Sequence, residues 1–265
     1  MTAMTTEAEN ALSAPPADPE MEEMLEAGAH LGHARAKRHP AMAPYIWGMR
    51  GSVEIIDLTK TKEKLAEALA FLHAGAAAGK LLLFVGSRPS TREILAGTAE
   101  ALGYPSVSRR WIGGTLTNFR VVRKRIEYLE TLEREQATGG FEKYTKKEQL
   151  EKEREIARLR ERFEGLRRLT RLPDALVILD ISHDDLALRE AKRIGVPVTA
   201  LVDTNCDPRL VAYPIPANDD ARPAIRYMLG RIQAAIEEGQ AAAKSAMEAL
   251  AAGEGAGAAA ETQPS

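Results

Sequence analysis

Residues 175–202 read ALVILDISHDDLALREAKRIGVPVTALV, and this stretch decides the class of fold. Ala175–Asp180 and Pro197–Val202 are predominantly apolar, with Asp180 and Thr199 as the polar residues, as is typical of strands buried on both faces of a sheet. Between them, Ser182 and Asp185 are spaced as a capping box, and Gly195 is placed to end the helix that they begin. A strand, a helix and a strand with short links predict a parallel sheet with helices on both faces.

The same alternation continues on both sides of this stretch. Leu81–Val85 is a further apolar run that predicts a buried strand, and Tyr104–Val107 is predicted as a second short strand. A helix is predicted between them from Pro89 to about Leu102. A short strand follows at Tyr213–Ile215, and a last helix is predicted from about Asp219 to Gly239. We therefore assign residues 20–116 and 169–240 to one α/β globular domain.

Residues 117–168 break this alternation. Their apolar residues form two narrow stripes with helical spacing, and nearly every other residue is polar or charged. The stripes consist of Phe119, Val122, Ile126, Leu129 and Leu132, and of Ile156, Leu159, Phe163 and Leu166. Thr138-Gly-Gly140 predicts a turn, and Thr145 with Glu148 predicts a capping box. We expect an inserted antiparallel coiled-coil hairpin that protrudes from the domain.

Composition limits the class of protein. The 265 residues are 45% hydrophobic and include one cysteine, Cys206, which excludes an internal disulfide. No apolar run approaches the ~18 residues that span a bilayer, so we expect a cytoplasmic protein in a reducing compartment. Residues 1–19 are predicted to be a disordered acidic extension, and residues 241–265 a disordered tail rich in Ala and Gly.

The distribution of charge is more informative than the formal net charge of −2. Residues 1–27 contain seven acidic and no basic residues, whereas residues 28–126 contain sixteen basic and six acidic residues. A basic body between acidic ends is typical of proteins that bind polyanions. An ordinary solvated surface is the alternative.

The first basic cluster lies in residues 30–50. Arg35, Lys37 and Arg38 supply guanidinium and ammonium groups that suit phosphates. Tyr45 or Trp47 could stack on an unpaired base, or both could pack the segment onto the core.

The second cluster is RRWIGGTLTNFRVVRKR, residues 109–125, which contains six basic residues and no acidic one. Gly113-Gly114 allows close approach of the backbone, and Thr115, Thr117 and Asn118 could donate to a phosphate or cap the following helix. Trp111 and Phe119 are expected in the core. The candidate ligands for the phosphates of a nucleic acid here are Arg109, Arg110, Arg120, Arg123, Lys124 and Arg125.

Two other groups are weaker candidates. The loop 85–91 follows a strand, as phosphate-binding loops do, but it lacks both G-x-G-x-x-G and the Walker pattern. His33, Asp203, Asp219 and Asp220 could meet at the carboxyl ends of the strands and bind zinc or magnesium. Alternatively, Asp219 or Asp220 caps the last helix and Asp203 accepts from loop amides. We find no catalytic set of residues.

Four segments resemble the bacterial small-ribosomal-subunit protein S2 family. They are GAHLGH (28–33) through IIDLTKT (55–61), RWIGGTLTNF (110–119), LPDALV (172–177), and VDTNCDP (202–208) through YPIPANDD (213–220). Their order and spacing match over roughly residues 21–240. Arg35–Pro40 departs from the aromatic-Asn-Pro pattern that is usual there, and the N-terminal extension is outside the shared pattern.

The resemblance implies a flavodoxin-like sheet with a protruding coiled-coil hairpin. It implies a structural, non-enzymatic constituent of the small subunit that binds 16S rRNA, helps recruit the mRNA-binding ribosomal protein S1 and requires no cofactor. We expect small-subunit rRNA and other small-subunit proteins as partners, and neither a membrane nor a homo-oligomer. The alternative is a nucleotide- or phosphometabolite-binding α/β enzyme, which the doubly wound sheet suggests.

Overall fold

Five parallel strands form the central sheet of the protein in this computed structural model, which describes the backbone of residues 18–260 and the side chains of residues 18–246. The strands are β4 (Leu82–Val85), β5 (Ser106–Val107), β6 (Ala175–Ile178), β7 (Val198–Val202) and β8 (Tyr213–Pro216). Their spatial order is β5-β4-β6-β7-β8, with every neighbouring pair parallel. This is the flavodoxin-like order, so the predicted α/β sheet is confirmed.

Helices cover both faces of the sheet, because adjacent residues of each strand point to opposite sides and both sets are apolar. Leu83 and Leu176 belong to one buried cluster, whereas Leu82 and Ala175 belong to the other. The helices of the domain are α1 (Pro19–Glu26), α2 (Leu58–Ala77), α3 (Arg92–Leu102), α6 (Asp185–Ile194) and α7 (Arg222–Ala260). Within residues 18–260 no helix combines the length and the apolarity needed to cross a membrane.

A second, smaller sheet precedes the central one and was not predicted. It consists of β1 (Leu31–Ala34), β2 (Ile46–Arg50) and β3 (Val53–Ile56), antiparallel in the order β1-β3-β2. These strands contain only four or five residues each. The two short 3₁₀ segments between β1 and β2, which include Pro40 and Pro44, interrupt the alternation that would have identified a sheet.

Residues 119–163 form two helices, α4 (Phe119–Ala137) and α5 (Lys146–Phe163). Arg123 near the start of α4 contacts residue Arg167 beyond the end of α5, and Glu135 near the end of α4 contacts Tyr144 before α5 begins, so the helices run antiparallel. The buried positions are Val122, Ile126, Leu129, Leu132, Ile156, Leu159, Phe163 and Leu166. The helical hairpin and its two stripes are therefore as predicted. Supercoiling and projection from the domain stay predictions.

Polar contacts support this hairpin. Thr145 and Glu148 form the predicted reciprocal capping box at the start of α5. Glu133 on α4 accepts hydrogen bonds from Arg160 and from both terminal nitrogens of Arg167, at 2.5–2.7 Å. These guanidinium groups, Arg167 first, lower the pKa of Glu133 from 4.5 to about 2. The carboxylate that links the helices therefore stays charged at neutral pH.

Three helices differ from the prediction at their boundaries. Helix α3 begins at Arg92, not at Pro89, because residues 89–91 form a turn. Helix α6 begins at Asp185 after the N-cap Asp184, but the capping box with Ser182 does not form. Instead the Asp180 side chain accepts from the amides of Ser182 and His183, both at 2.9 Å.

Helix α7 continues past Gly239 to Ala260, so residues 241–260 of the predicted disordered tail are helical. Alanine favours helix strongly, and that preference outweighs the three glycines after residue 250. Residues 1–17 and 261–265, which belong to the predicted disordered ends, lie outside the described residues.

The chain returning from the hairpin lies against the edge strand β5. A short 3₁₀ segment, Glu164–Leu166, packs there, and Gly165 approaches so closely that an added Cβ would lie 2.2 Å from the carbonyl oxygen of Ser106. Only glycine permits this approach.

Helices α2 and α7 also pack closely, and two glycines of α7 differ in their surroundings. At Gly239 an added Cβ would lie 2.4 Å from the carbonyl oxygen of His73 on α2, whereas at Gly230 no atom lies within 4 Å.

We predict that Gly239→Ala lowers the free energy of unfolding by about 1–3 kcal/mol, because the methyl group forces the two helices apart. Gly230→Ala should raise it by about 0.5–1 kcal/mol, because alanine costs less backbone entropy in an open helical position. Urea unfolding of both variants measures the difference. Equal effects of the two substitutions would contradict the close packing of α2 on α7.

Candidate nucleic-acid interface

The loop that leads from the sheet into the hairpin is organised by one buried carboxylate, that of Glu190 on α6. Its Oε1 accepts from the Trp111 indole nitrogen at 3.0 Å and from the Gly114 amide at 2.7 Å. Its Oε2 accepts from the Leu116 amide at 3.0 Å and from the Thr117 amide and hydroxyl at 3.1 Å. Five donors therefore converge on a side chain that is 6% exposed.

The same contacts determine the charge of Glu190. Burial by itself raises the pKa of this carboxyl, but the hydrogen bonds from Thr117, Trp111, Gly114 and Leu116 outweigh it and hold the pKa below its ordinary value. Glu190 is therefore a permanent anion at neutral pH, surrounded by donors that an external anion would otherwise require.

This arrangement corrects one expectation for residues 113–118. The loop after Gly113-Gly114 does form a concave group of amide donors, and Gly114 adopts the positive φ of 90° that such a turn requires. However, of the three side chains that were candidates for a phosphate, Thr117 donates to Glu190 and Thr115 donates to the carbonyl oxygen of Ile112. Asn118 makes no side-chain capping bond to α4. Trp111 is buried and Phe119 is partly buried against the core, as predicted.

The cations around this loop face outward and fall into two groups. Arg109 pairs with Glu161 at 2.8 Å, and Arg123 pairs with Glu127 at 3.2 Å. The others are exposed and make no ion pair with any described side chain: Arg110, Arg120, Lys124 and Arg125. Four unpaired positive charges therefore lie at the root of the hairpin.

A groove beside this root, between β5 and the end of α5, extends the basic surface. Its lining includes four arginines that the sequence analysis did not single out: Arg160, Arg162, Arg167 and Arg168. Arg109 and Arg110 line the same groove, against three glutamates, Glu100, Glu161 and Glu164. The convergence of these arginines could not be predicted from the spacing of residues in the sequence, because it depends on how the chain returns from α5 to the edge of the sheet.

The first basic cluster lies on the small sheet. Arg35 and Lys37 are exposed and make no ion pair within the described part of the chain, whereas Arg38 contacts the buried Glu54 at 3.4 Å. Tyr45 is partly buried against the core, but Trp47 is 76% exposed. Packing onto the core is therefore correct for Tyr45 and wrong for Trp47.

The four candidate metal ligands lie at the carboxyl edge of the central sheet. His33 contacts Asp203 through Nδ1 at 3.1 Å and Asp220 through Nε2 at 3.4 Å. Arg88 contacts both Asp220 and Asp180 directly, and one of its terminal nitrogens lies 3.9 Å from Oδ1 of Asp219. Asp219 is 1% exposed, and burial together with Asp180 and Asp203 raises the pKa of this carboxyl well above its ordinary value.

The prediction of a metal centre at these residues is not supported by their arrangement. Among the described side chains, no group of three or more His, Cys, Asp or Glu residues is placed to hold a metal ion. The guanidinium of Arg88 supplies the positive charge among these carboxylates instead. Asp219 does not cap α7, because neither of its carboxylate oxygens has a hydrogen-bond partner among the described residues. The turn before the helix is closed by the Asn218 side chain, which accepts from the amides of Asp220 and Ala221 at 2.9 and 3.0 Å.

The loop after β4 is also closed internally. The amide and hydroxyl of Ser87 donate to the buried Asp184 at 3.0 and 2.5 Å. In loop 85–91, which was a weak candidate for binding phosphate, the donors of Ser87 are therefore occupied by a carboxylate of the protein.

We predict that Glu190→Gln lowers the free energy of unfolding by roughly 2–4 kcal/mol, because the amide group turns two N–H donors toward a set of donors. Glu161→Gln is the matched control: it removes an exposed ion pair with Arg109 and should cost less than about 1 kcal/mol. Urea unfolding followed by tryptophan fluorescence compares the two. A loss at Glu190 no larger than that at Glu161 would contradict the central role of this carboxylate.

Comparison with known proteins agrees with this geometry. The family model described as ribosomal protein S2 matches residues 24–239. The small ribosomal subunit protein uS2 of Roseiflexus castenholzii (strain DSM 13941 / HLO8) is 46% identical over 220 residues, which cover 83% of this chain and 84% of the relative. The uS2 protein of Roseiflexus sp. (strain RS-1) shows the same identity and coverage. The match spans both parts of the central sheet and the whole hairpin, and the chain belongs to the ribosomal protein S2 family of the small ribosomal subunit.

Proposed function

We propose that this protein binds 16S rRNA through two basic surfaces, the root of the hairpin and the small antiparallel sheet. Membership of the S2 family makes the chain a structural constituent of the small ribosomal subunit and places it in the ribosome. The proposal goes further than family membership, because it assigns rRNA binding to particular residues. The observation that supports it is the group of unpaired cations at the root of the hairpin.

Ion pairing separates the candidate rRNA ligands. Arg110, Arg120, Lys124 and Arg125 are exposed and have no carboxylate partner among the described residues, so a phosphate can approach them without displacing an internal anion. Before Arg109 can bind a phosphate, its ion pair with Glu161 must break, and Arg123 must likewise release Glu127. Both pairs are surface pairs, which contribute little stability and exchange readily. Arg35 and Lys37 complete the surface on the small sheet, and Arg38 is partly committed to Glu54.

The arginine-lined groove supports the same proposal. Six arginines and three glutamates line it, and Arg160 and Arg167 are already bound to Glu133. Arginine guanidinium groups form bidentate hydrogen bonds with phosphates. A groove lined by more arginines than glutamates is therefore suited to a single phosphodiester backbone. We propose that the backbone of rRNA enters this groove from the side of Arg109 and Arg110.

If six to ten phosphates are neutralised, the affinity of the protein for purified small-subunit rRNA should fall by roughly 10³–10⁵ between 50 and 200 mM salt. Reversing Arg120, Lys124 and Arg125 to Glu should lower the slope of log affinity against log salt by about 0.7–0.9 for each lost contact. Filter binding or fluorescence anisotropy at several salt concentrations measures both quantities.

The control reverses the same amount of charge on α7, at Arg222, Arg226 and Lys244, which are also exposed. Helix α7 packs on the opposite face of the sheet, so these substitutions should leave the salt slope unchanged. Equal losses in the two triple variants would show that only net charge matters. An affinity of the unaltered protein that does not depend on salt would overturn electrostatic binding of rRNA.

We further propose that the α4–α5 hairpin is a protruding coiled-coil arm and helps recruit ribosomal protein S1. The resemblance to the S2 family suggests this role, and the surface of the hairpin is suited to a protein partner. Leu150 on α5 and Tyr128 on α4 are 46% and 39% exposed, apart from the buried stripes. Apolar side chains that are exposed on a charged helix are common contacts in protein interfaces.

We predict that Leu150→Glu reduces retention of S1 on small subunits that contain the variant, without changing rRNA affinity. Leu172→Glu is the control, because Leu172 is exposed to a similar extent, 43%, but lies outside the hairpin. Cosedimentation of S1 with the subunits measures retention. Normal retention with the Leu150 variant would exclude this part of the hairpin from the S1 interface.

The remaining expectations follow from the same role. We propose that the protein acts as a single copy in the cytoplasmic ribosome, without a membrane partner and without a required cofactor. A nucleotide- or phosphometabolite-binding enzyme is not favoured, because Asp184 occupies the donors of Ser87 in the loop after β4. Burial also raises the pKa of Cys206 to about 12, which leaves this thiol unreactive at neutral pH.

A further inference from the structure

Trp47 is exposed to an unusual degree. Its side chain is 76% exposed, whereas the other exposed large apolar residues in the described part of the chain lie between 38% and 54%. A tryptophan in a protein of this size normally buries most of its surface, as Trp111 does at 6% exposure. The indole of Trp47 is therefore placed for contact with something outside the chain.

The backbone of β2 produces this exposure. The register of β2 against β3 pairs Ile46 with Ile56 and Gly48 with Ile55, so Trp47 is the extra residue of a β-bulge. Bulges redirect a side chain out of the regular alternation of a strand. β2 is also an edge strand of the small sheet, and at the next residue, Gly48, an added Cβ would have no atom within 4 Å apart from those of its chain neighbours. No other part of the described chain therefore covers the strand at Gly48.

The surroundings of Trp47 are basic. Residues 28–53 contain Arg35, Lys37, Arg38 and Arg50 but no Asp or Glu. The Arg35 guanidinium contacts the sulfur of Met49, two residues from Trp47, at 3.7 Å, and Arg50 ends the same strand. An exposed aromatic ring with guanidinium groups on the same small sheet combines a stacking surface with charges for the adjoining phosphates.

We propose that Trp47 is a stacking platform for an unpaired base of the small-subunit rRNA, with Arg35 and Arg50 neutralising the phosphates on either side of that base. This inference rests on the proposed binding of rRNA and assigns to it a contact that is not electrostatic. Stacking tolerates any base, so the platform recognises a single-stranded or bulged nucleotide rather than a sequence.

The charge of the surface favours RNA over a protein partner. An apolar docking surface for a protein normally has a contiguous apolar centre with few charges. On β2 only Trp47 and Met49, which is 44% exposed, are apolar and exposed. The exposed Arg35 contacts Met49, and the exposed Arg50 ends the strand. Glu54, the acidic residue nearest in the small sheet, is buried against Arg38 and presents no charge to the outside.

The test compares three substitutions that leave the fold intact because the side chain is exposed. Trp47→Ala should weaken binding of the full chain to purified small-subunit rRNA by about 5- to 150-fold. Trp47→Phe keeps an aromatic ring and should recover most of the affinity, whereas Trp47→Leu keeps apolar volume without a ring and should not. The salt slope should be unchanged in all three, because phosphate contacts remain. Leu172→Ala serves as the control for loss of an exposed apolar side chain.

The outcomes separate this inference from the proposed function. If the unaltered protein binds rRNA but Trp47→Ala binds equally well, or if Leu replaces Trp47 as well as Phe does, the stacking platform is wrong and rRNA binding stands. If Trp47→Ala keeps its rRNA affinity but no longer enters reconstituted small subunits, Trp47 contacts a protein, which also overturns the inference. If the unaltered protein shows no affinity for rRNA, the proposed function fails, and this inference fails with it. Unfolding curves of the variants confirm that their folds are equally stable.

Discussion

The placement of the hairpin on the domain depends on the hydrogen bonds that Glu190 accepts. Helix α6 packs on one face of the central sheet, and its buried carboxylate gathers five donors from residues 111–117, just before α4 begins. Without this carboxylate the buried donors of Trp111 and Leu116 would lack a partner, which is costly. Five hydrogen bonds to one carboxylate therefore hold the connection between domain and hairpin just before the basic residues of α4.

Internal carboxylates also define which positive groups remain available to a ligand. Glu190 occupies the amides after Gly114, Asp184 occupies Ser87, and Asp180, Asp219 and Asp220 surround Arg88. These amides, the Ser87 donors and the guanidinium of Arg88 are thus satisfied by the protein itself. Arg110, Arg120, Lys124 and Arg125, on the outside, are left without such partners among the described residues. Because the carboxylates lie inside and these cations lie outside, a protein of nearly neutral net charge has a surface that suits a polyanion.

Much of this architecture could be predicted from sequence, because the relevant signals are local. Uniform apolar runs such as Ala175–Ile178 indicated the parallel strands, and the spacing of Val122, Ile126 and Leu129 indicated the helices of the hairpin. The small sheet was missed because its strands are short and irregular. The partner of the glycine loop was missed because Glu190 is more than seventy residues away in the chain. Likewise, the exposure of Trp47 depends on the pairing register of β2 with β3, which composition does not reveal.

The contact of Gly165 with Ser106 has a consequence for the free protein. β5 is the last strand on its side of the sheet, and an uncovered edge of that kind offers backbone groups to the edge strand of another molecule. The segment Glu164–Leu166 lies against this edge and is supplied by the chain as it leaves the hairpin. An insertion whose outer surface suits RNA thus also protects the sheet from edge-to-edge aggregation before the protein joins a ribosome.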